Sequence, residues 1–361
     1  MDLQDALILL GLLVIFVVGL TAYDRGRMKR RILGFVESRF SANGNQATKP
    51  AKEVDPQWAE HRVLRPQSAA ASTPQENEGS EEEPFGSIDF IVFLPGDRPV
   101  IRDAALGIYK QNEYMIDKPH RLYGQRQGTQ VWGNLNKDKD DVKYDLLALA
   151  LQLVDQSGAV NESELNAIVQ IALKLADALN RPTRFNMSFE QALDRAIALD
   201  KFCASFDVIA TIHIVADSVP AFRGPAIERA AQEAHLEFGR RNIFHRKNDH
   251  QDGNRQLFSL ANLYQPGSFD PLRLDALQTK GLTLFMSVPC VPDPVAVFAD
   301  MSATASVLAR RLGGKLVDPD RRPLTEAGLA AIKGQIQDIA ERMESQGIAP
   351  GTINARRLFP L

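Results

Sequence analysis

The strongest constraint on this chain is an uncharged apolar run near its start, ALILLGLLVIFVVGLTA at residues 6–22. As an α-helix this run would extend for roughly 26 Å, close to the ~30 Å hydrocarbon core of a bilayer. Two aspartates precede the run, and cations follow it at Arg25, Arg27, Lys29, Arg30 and Arg31. Because such cations favour the cytoplasmic side, residues 1–24 are predicted to form a single-pass anchor with a periplasmic N-terminus and everything after it in the cytoplasm.

A signal peptide and a buried core helix are the alternatives for the same run. A cleaved signal peptide carries its positive charge before the apolar segment and a small-residue cleavage site after it. The sequence has neither feature. An uncleaved anchor in a bacterial inner membrane is therefore the favoured interpretation.

The segment 25–84 separates the anchor from the globular part of the chain. Ile32, Val36 and Phe40 recur every four residues, which predicts a helix over 25–40 that continues the anchor or lies on the anionic inner leaflet. The alternative is a solvated basic flank. Residues 41–84 are rich in Ser, Ala, Pro, Gln and Glu without periodicity. They predict a disordered linker with a mean span of roughly 35–40 Å.

Composition and motifs narrow the class of protein. A net charge of −3 argues against nucleic acid as a partner. Cys203 and Cys290 are the only cysteines and fit a reducing cytoplasm as small apolar residues. The sequence contains no Walker A motif, GxGxxG, GxSxG or HExxH. We therefore expect no enzyme, no small-molecule substrate and no cofactor.

A polar cluster with two histidines and two aspartates lies within residues 245–252. His245 and His250 flank a predicted turn that contains Asp249 and Asp252. This group can be interpreted as a metal cluster or as the polar tip of a hairpin. The hairpin tip is favoured, so no metal is predicted.

From residue 85 onward, strand patterns alternate with helical ones. Strands are predicted at 88–94, 119–125, 130–134, 146–154, 206–215, 236–246, 256–263, 282–288 and 315–318. Helices are predicted at 100–114, 163–179, 225–234, 294–312 and 325–346. Ser163 and Thr325 are the expected N-caps, and Gly313–Gly314 the expected stop of the fourth helix.

The order of these patterns indicates an internal duplication. IDFIVFL (88–94) resembles FDVIATI (206–212), HRLYGQR (120–126) resembles RNIFHRK (241–247), and WGNL (132–135) resembles LANL (260–263). The spacing between the copies rises from about 120 to about 135 residues, so the repeat is imperfect. The alternative is one composite domain with a helical insertion at 185–201.

Alternating side chains predict which sheet face is buried. In the strand at 208–214, Val208 and its alternate neighbours would pack on helices, whereas Ile209, Thr211 and His213 face outward. The strand at 282–288 likewise turns Thr283, Phe285 and Ser287 outward, and the strand at 256–263 turns out Ser259, Ala261 and Leu263. The outward face would be a shallow trough lined by Ile209, Leu263 and Phe285, suited to an apolar peptide. The alternative is that the other copy or the last helix covers this face.

Three segments carry a resemblance to a known family. They are FGRRNIFHR (238–246), LFSLANLYQPGSFDP (257–271) and GLTLFMSVP (281–289). Over about residues 207–345 the chain resembles the ZipA family of membrane-anchored bacterial cell-division proteins, which bind FtsZ. The resemblance implies an α+β class with a split β-α-β fold, an antiparallel sheet of about six strands with helices on one face. It assigns this fold to residues 202–361, and residues 85–201 would be a possible divergent tandem copy.

The resemblance also implies a function and a site. The open sheet face would bind the C-terminal tail of FtsZ through Ile209, Thr211, Arg241, Leu263, Gln265, Thr283 and Phe285. Thr211, Arg241 and Gln265 depart from the family pattern, and Arg241 could pair with an acidic residue of the tail.

The predicted function is therefore a tether that holds the Z ring to the inner membrane at the division septum. Its bilayer contacts would be residues 6–22 and the basic flank 25–31. The alternative is a membrane-anchored scaffold that binds another division or envelope protein through 85–201.

Overall fold

The computed structural model describes residues 31–33, 84–248 and 256–360. The predicted anchor at 6–22 and the predicted linker at 41–84 lie, except for residue 84, outside these residues, and so do Asp249 and Asp252 of the predicted turn. Among the helices that the structure describes, none is both long and apolar enough to cross a membrane.

The chain forms two α/β units, one after the other. The first contains β2 (Asp89–Leu94), β3 (Val100–Ile101), α1 (Arg102–Lys110), β4 (His120–Arg126), β5 (Trp132–Asn134), β6 (Lys143–Gln152), β7 (Val154–Asp155), β8 (Gly158–Ala159), α2 (Glu162–Leu179), β9 (Arg184–Phe185) and α3 (Phe189–Phe206). The second contains β10 (Val208–Ala216), β11 (Phe222–Arg223), α4 (Gly224–Glu233), β12 (Glu237–Phe238), β13 (Phe244–Lys247), β14 (Gln256–Asn262), β15 (Gln278–Thr279), β16 (Gly281–Ser287), α5 (Pro294–Leu312), β17 (Gly314–Val317), α6 (Glu326–Ser345) and α7 (Ile353–Leu358). A short strand before both units is β1 (Arg31–Leu33).

The first sheet has the order β5-β4-β6-β2-β9, and β3 also pairs with β6. All of these pairs are antiparallel. Phe90, Val92 and Leu94 of β2 point to one face, where they share a core with the apolar sides of α1, α2 and α3. The opposite face, called here the outward face of the first sheet, has a separate apolar cluster of its own.

The second sheet has the order β1-β10-β16-β14-β13-β12, with β17 on the same edge of β10 as β1. Its pairs are antiparallel apart from β1 with β10. Helices α4, α5 and α6 pack on one face through Ile227, Phe298 and Ile336. The opposite face is called here the outward face of the second sheet. The predicted α+β class, with an antiparallel sheet and helices on one side, is confirmed.

The two sheets match in part of their strand order. In each, the first strand (β2 or β10) pairs on one side with the strand before the second helix (β6 or β16) and on the other with the strand after that helix (β9 or β17). The next position is β4 in the first sheet and β14 in the second. In the first sheet, HRLYGQR forms β4 next to β6, and WGN forms β5 at the edge. In the second sheet the order is reversed, because LAN of the LANL motif ends β14 next to β16, and FHRK forms β13 on the far side of β14. These two motif pairs do not occupy equivalent positions, and the duplication stays a prediction.

The end of the chain connects the two units. Helix α6 contributes Ile332 and Ile336 to the second core and Met343 to the first. Residues after it continue into the first core through Ile348, Leu358 and Phe359.

This packing differs from the predicted domains 85–201 and 202–361. Residues 201 and 202 lie inside α3, which is a continuous helix up to Phe206. The residues from 343 to 359 that enter the first core follow the second sheet in the chain but complete the first unit.

Three local predictions are corrected by the structure. The helix predicted over 25–40 is wrong at Arg31–Leu33, which pair as a strand with the otherwise unfilled edge of Val208–Ala210. The strand predicted over 236–246 is a hairpin, because Arg241 and Asn242 have φ of 60° and 56° and turn the chain. The N-cap of α2 is Asn161 instead of Ser163, and it forms a capping box with Glu164.

Candidate functional site

The outward face of the second sheet is built by the alternation of three neighbouring strands. Val208, Leu284 and Leu260 point into the helix-covered core. Their neighbours in each strand therefore point to the other side. Pairing sets Phe285 of β16 between Thr211 of β10 and Ser259 of β14. The predicted division of these strands into inward and outward residues is confirmed.

Short side chains surround the one large aromatic ring on this face. Thr283 lies opposite His213 on one side and Ala261 on the other. Phe285 is half-buried, with small or hydroxyl-bearing neighbours on both adjoining strands. Ser259, Ala261 and Ser287 are buried, so the predicted trough is accessible mainly at Thr283 and Phe285.

Two histidines on this face are held neutral. His213 Nδ1 is 2.9 Å from Thr283 Oγ1, and burial lowers the pKa of His213 to about 4. His245 Nδ1 is 3.0 Å from Ser259 Oγ, its Nε2 is 2.9 Å from the carbonyl oxygen of Arg240, and burial lowers its pKa as well. Each histidine–hydroxyl hydrogen bond satisfies polar groups that would otherwise bind water. The centre of the face is therefore uncharged at neutral pH.

Within the described part of this face, the Thr211 hydroxyl is a buried side-chain polar atom that the fold leaves unsatisfied. Thr211 is 9% exposed, and among the described residues its Oγ1 has no hydrogen-bond partner. A buried hydroxyl without a partner is uncommon, because it loses its bond to water without a replacement. Thr211 is the cross-strand neighbour of Phe285, the half-buried ring of this face.

Ile209 differs from the other predicted apolar contacts. It is outward by alternation and lies opposite Ser287, yet it is only 1% exposed. The edge of the sheet beside it is taken by β1, where Ile32 is its partner in register. The accessible apolar part of the trough is therefore formed by Phe285 and Leu263, which are half-buried.

The remaining predicted site residues lie in loops at the ends of the strands. Leu263 follows β14, donates its backbone N–H to Gly281 over 3.1 Å and packs its side chain against that glycine. Gln265 is exposed and precedes Pro266 in a cis peptide bond. Arg241 is exposed in the Arg240–Asn242 turn, on the far side of β13. The structure thus brings Thr211, Thr283 and Phe285 together, and leaves Arg241 and Gln265 at the periphery.

The length of the trough sets the size of its ligand. Ile209 lies at the level of Ser287, whereas Leu263 lies at the level of Gly281 at the other end of β16. Six residue steps along a strand correspond to about 20 Å. The face is therefore long enough for about six residues of extended peptide.

Other sites within the described residues offer little chemistry. No group of three or more His, Cys, Asp or Glu in this part of the chain is arranged to hold a metal ion. A groove of about 660 Å³ beside β9 has Arg184 as the only charged residue in its lining. The thiol of Cys203 is buried in the first core, and burial raises its pKa to about 12.

Comparison with known proteins bears on the same stretch of chain. The family model described as "ZipA, C-terminal FtsZ-binding domain" matches residues 208–335, from the first residue of β10 into α6. The chain is also similar to proteins named "Cell division protein ZipA". That of Shewanella loihica is 36% identical over 118 residues, which are 33% of this chain and 35% of the relative. That of Ectopseudomonas mendocina is 31% identical over 152 residues, 42% and 56% of the two chains. That of Shewanella frigidimarina is 34% identical over 119 residues, 33% and 34%.

These matches cover between about a third and just over half of the relatives' length. They confirm the resemblance to the ZipA family that the motifs at 238–289 indicate.

Proposed function

We propose that this chain is a non-enzymatic cell-division protein whose second sheet binds the C-terminal tail of FtsZ. The observation that carries the proposal is the extent of the match. The stretch similar to an FtsZ-binding domain, residues 208–335, includes the strands that form the trough and the helices that support them. The outward face of the second sheet, which is long enough for a short peptide, therefore lies in the stretch that is similar to an FtsZ-binding domain.

The tail would lie in an extended form across the outward face of the second sheet. Phe285 and Leu263 supply apolar contact, worth about 25 cal/mol for each Å² removed from water. Thr283 and Ala261 are short enough to let the tail approach the sheet. The Thr211 hydroxyl gains a backbone partner, and Arg241 offers a charge to an acidic residue of the tail.

An uncharged face favours weak binding of each individual FtsZ tail. With both histidines uncharged, binding depends on apolar area and a few hydrogen bonds, so a single tail is held loosely. A filament presents many tails to many receptors in one membrane. Effective concentration then raises the overall affinity by orders of magnitude without any new contact.

The membrane half of the proposal depends on sequence outside the described residues. The run at 6–22 would anchor the chain in the inner membrane with its N-terminus in the periplasm, and the cations at 25–31 would contact anionic lipid. Because β1 (Arg31–Leu33) pairs with β10, residues 25–30 would separate the anchor from the second sheet, and the linker at 41–84 would connect β1 to the first unit. The trough and FtsZ would then meet at the cytoplasmic face, at the division septum.

The direct test is calorimetric titration of the full chain, in detergent micelles, with a peptide of the FtsZ C-terminal tail. The full chain is required because α6 and the residues after it complete the core of the first unit. We expect saturable binding that Phe285→Ala weakens about tenfold, the equivalent of about 1.4 kcal/mol. Leu173→Ala, at an exposed apolar position of α2, is the matched control and should leave the affinity unchanged.

Lack of binding at millimolar peptide would contradict the proposal. If wild type and Phe285→Ala bind the tail with equal affinity, FtsZ remains the partner but its tail does not bind at Phe285. For the anchor, deletion of residues 1–24 should release the protein from the membrane fraction. Retention of the deleted chain there would contradict the assigned span.

A further inference from the structure

The outward face of the first sheet has an aromatic cluster of its own, called here the aromatic trough. Its floor consists of Ala148 and Ala150 of β6, and its walls of large residues of β2, β4, β5 and β6. The members are Ile91, Phe93, Tyr123, Trp132, Leu146, Ala148 and Ala150. Small residues between aromatic walls form a depression that accepts an inserted side chain.

Phe85 fills this depression. Its ring centroid is 5.0 Å from that of Trp132, 5.7 Å from Phe93 and 5.9 Å from Tyr123, with interplanar angles between 60° and 80°. Edge-to-face rings at such distances attract each other beyond their burial of area. Phe85 and Trp132 are each 6% exposed, so one aromatic side chain covers the other.

Phe85 does not belong to the sheet that it covers. It precedes β2 in a short segment that folds back through a turn, in which the Gly86 N–H donates to Asp89 Oδ2 over 2.9 Å and the Asp89 N–H to the Gly86 carbonyl over 3.0 Å. The side chain therefore enters the trough from the end of the linker, in the way that a bound peptide would.

Charge around the trough selects the kind of segment that fits. Arg184 is exposed, and its Cζ lies 5.0 Å from the centroid of the Phe93 ring, while Arg121 donates to the Tyr123 hydroxyl over 3.3 Å. In the sequence, the three residues before Pro84 and Phe85 are Glu81, Glu82 and Glu83. Acidic residues beside an inserted aromatic ring complement cations at the rim of the trough.

We propose that the aromatic trough is a second peptide-binding site, for an acidic extended segment of a partner protein that carries one aromatic side chain. Phe85 occupies this site within the resting chain and excludes the partner. The attachment is intramolecular, so the partner must compete with an effective concentration in the millimolar range. The site is separate from the face proposed for FtsZ, because it lies on the other sheet.

The test uses the full chain and a fluorescein-labelled peptide of residues 76–87, the acidic stretch through Phe85 itself, followed by fluorescence anisotropy. We expect Phe85→Ala to bind this peptide at least tenfold more tightly than wild type. A peptide with alanine in place of its phenylalanine should not bind. Arg184→Glu in the Phe85→Ala background should weaken binding at least threefold, whereas Phe238→Ala, at an exposed phenylalanine of the second unit, should not.

Quenching of Trp132 fluorescence reports directly whether the aromatic trough is occupied. In a Trp58→Phe background Trp132 is the only tryptophan. Phe85→Ala should increase acrylamide quenching of Trp132 at least twofold, and saturating peptide should reverse the increase. Phe85→Leu, a milder change, should give intermediate quenching and affinity if Phe85→Ala does not fold.

The proposal is overturned if the folded variants fail to bind the peptide, or if wild type and Phe85→Ala bind it equally. Binding that leaves Trp132 quenching unchanged would also overturn it, because the peptide would then lie elsewhere. None of these results bears on the FtsZ titration, which uses the other sheet.

Discussion

The first sheet covers its outward face with Phe85, whereas the second sheet leaves Phe285 half-buried among threonine, serine and alanine. The two sheets share the pairing of their first strands, so the difference lies in the side chains that alternate outward. The aromatic residues of the first sheet must be covered by another side chain or by a ligand, because a large exposed apolar patch is unfavourable in water. Short residues such as Thr283 and Ser259, whose hydroxyls pair with histidines, tolerate contact with water when no ligand is bound.

The largest expected effect tests whether the end of the chain belongs to the first sheet. Arg357 forms a two-pronged pair with fully buried Asp89, at 2.9 Å and 2.5 Å. Arg357→Ala would leave that carboxylate buried without its cation and lower the free energy of unfolding by about 3–5 kcal/mol. Urea unfolding followed by Trp132 fluorescence in the Trp58→Phe background measures it.

The exposed pair of Arg311 with Glu233 supplies the control, since Arg311→Ala should change that free energy by less than about 1 kcal/mol. If the two variants unfold at the same urea concentration, the tail does not stabilise the first unit.

Adjacent residues of β16 test the assignment of the two faces in the second sheet. Leu284 is fully buried in the core, so Leu284→Ala should lower the free energy of unfolding by about 2–5 kcal/mol. Phe285→Ala should lower it by less than about 1.5 kcal/mol, because the ring already contacts solvent. Thermal unfolding of both variants measures this. The reverse order would show that Phe285 belongs to the core.

Acid should destabilise the second sheet through His213. Burial holds its folded pKa at about 4, and the unfolded value is about 6.5, so the unfolded chain binds the extra proton between these values. Stability therefore falls as pH drops through this window, by about 2 kcal/mol for this group between pH 7 and pH 5.

Urea unfolding of wild type and His213→Gln at both pH values isolates this effect. The variant should lose less stability on acidification than wild type does. An equal loss would mean that other groups carry the pH response.

Thr211→Val tests whether the Thr211 hydroxyl contributes to binding of the FtsZ tail or to the stability of the fold. Valine matches the shape of threonine and removes a hydroxyl that has no partner among the described residues. The variant should therefore be at least as stable as wild type, yet bind the FtsZ tail about fivefold more weakly, by about 1 kcal/mol. Calorimetry and thermal unfolding on the same sample measure both. Unchanged affinity would remove Thr211 from the site.

The smallest effect is expected at Arg241, which lies in a turn at the edge of the second sheet. Arg241→Gln should weaken tail binding about twofold at low salt, and the difference should vanish at 0.5 M salt, where charges are screened beyond a few ångströms. Affinities measured across a salt series test this. A difference that persists at high salt would argue against an ion pair with the tail.

Local patterns predicted the elements that depend on neighbours in sequence. The alternation in β10 and β16 gave the correct buried face, and Gly313, with φ of 71°, ends α5 where expected. Thr325 caps α6 through the Gly328 N–H. These features follow from side-chain period and cap chemistry, which a short stretch of sequence contains.

Features that depend on distant parts of the chain were missed. The turn at Arg241 contains no signal stronger than the glycine before it and the asparagine after it. The insertion of Phe85 into the aromatic trough and the packing of Phe359 into the first core need contacts that sequence spacing does not encode. At the site, adjacency of Thr211, Thr283 and Phe285 was predictable, but the burial of Ile209 was not.

The pair between Asp89 and Arg357 joins residues 268 positions apart, which has a consequence for biosynthesis. A ribosome delivers the first sheet long before the residues that finish its core. The nascent chain must hold an incomplete hydrophobic centre while the whole second unit is made, although domains usually fold in order of synthesis. A protein fused directly after residue 361 would therefore hinder the packing of the segment that completes the first unit, and a flexible spacer at the junction should restore the yield of folded protein.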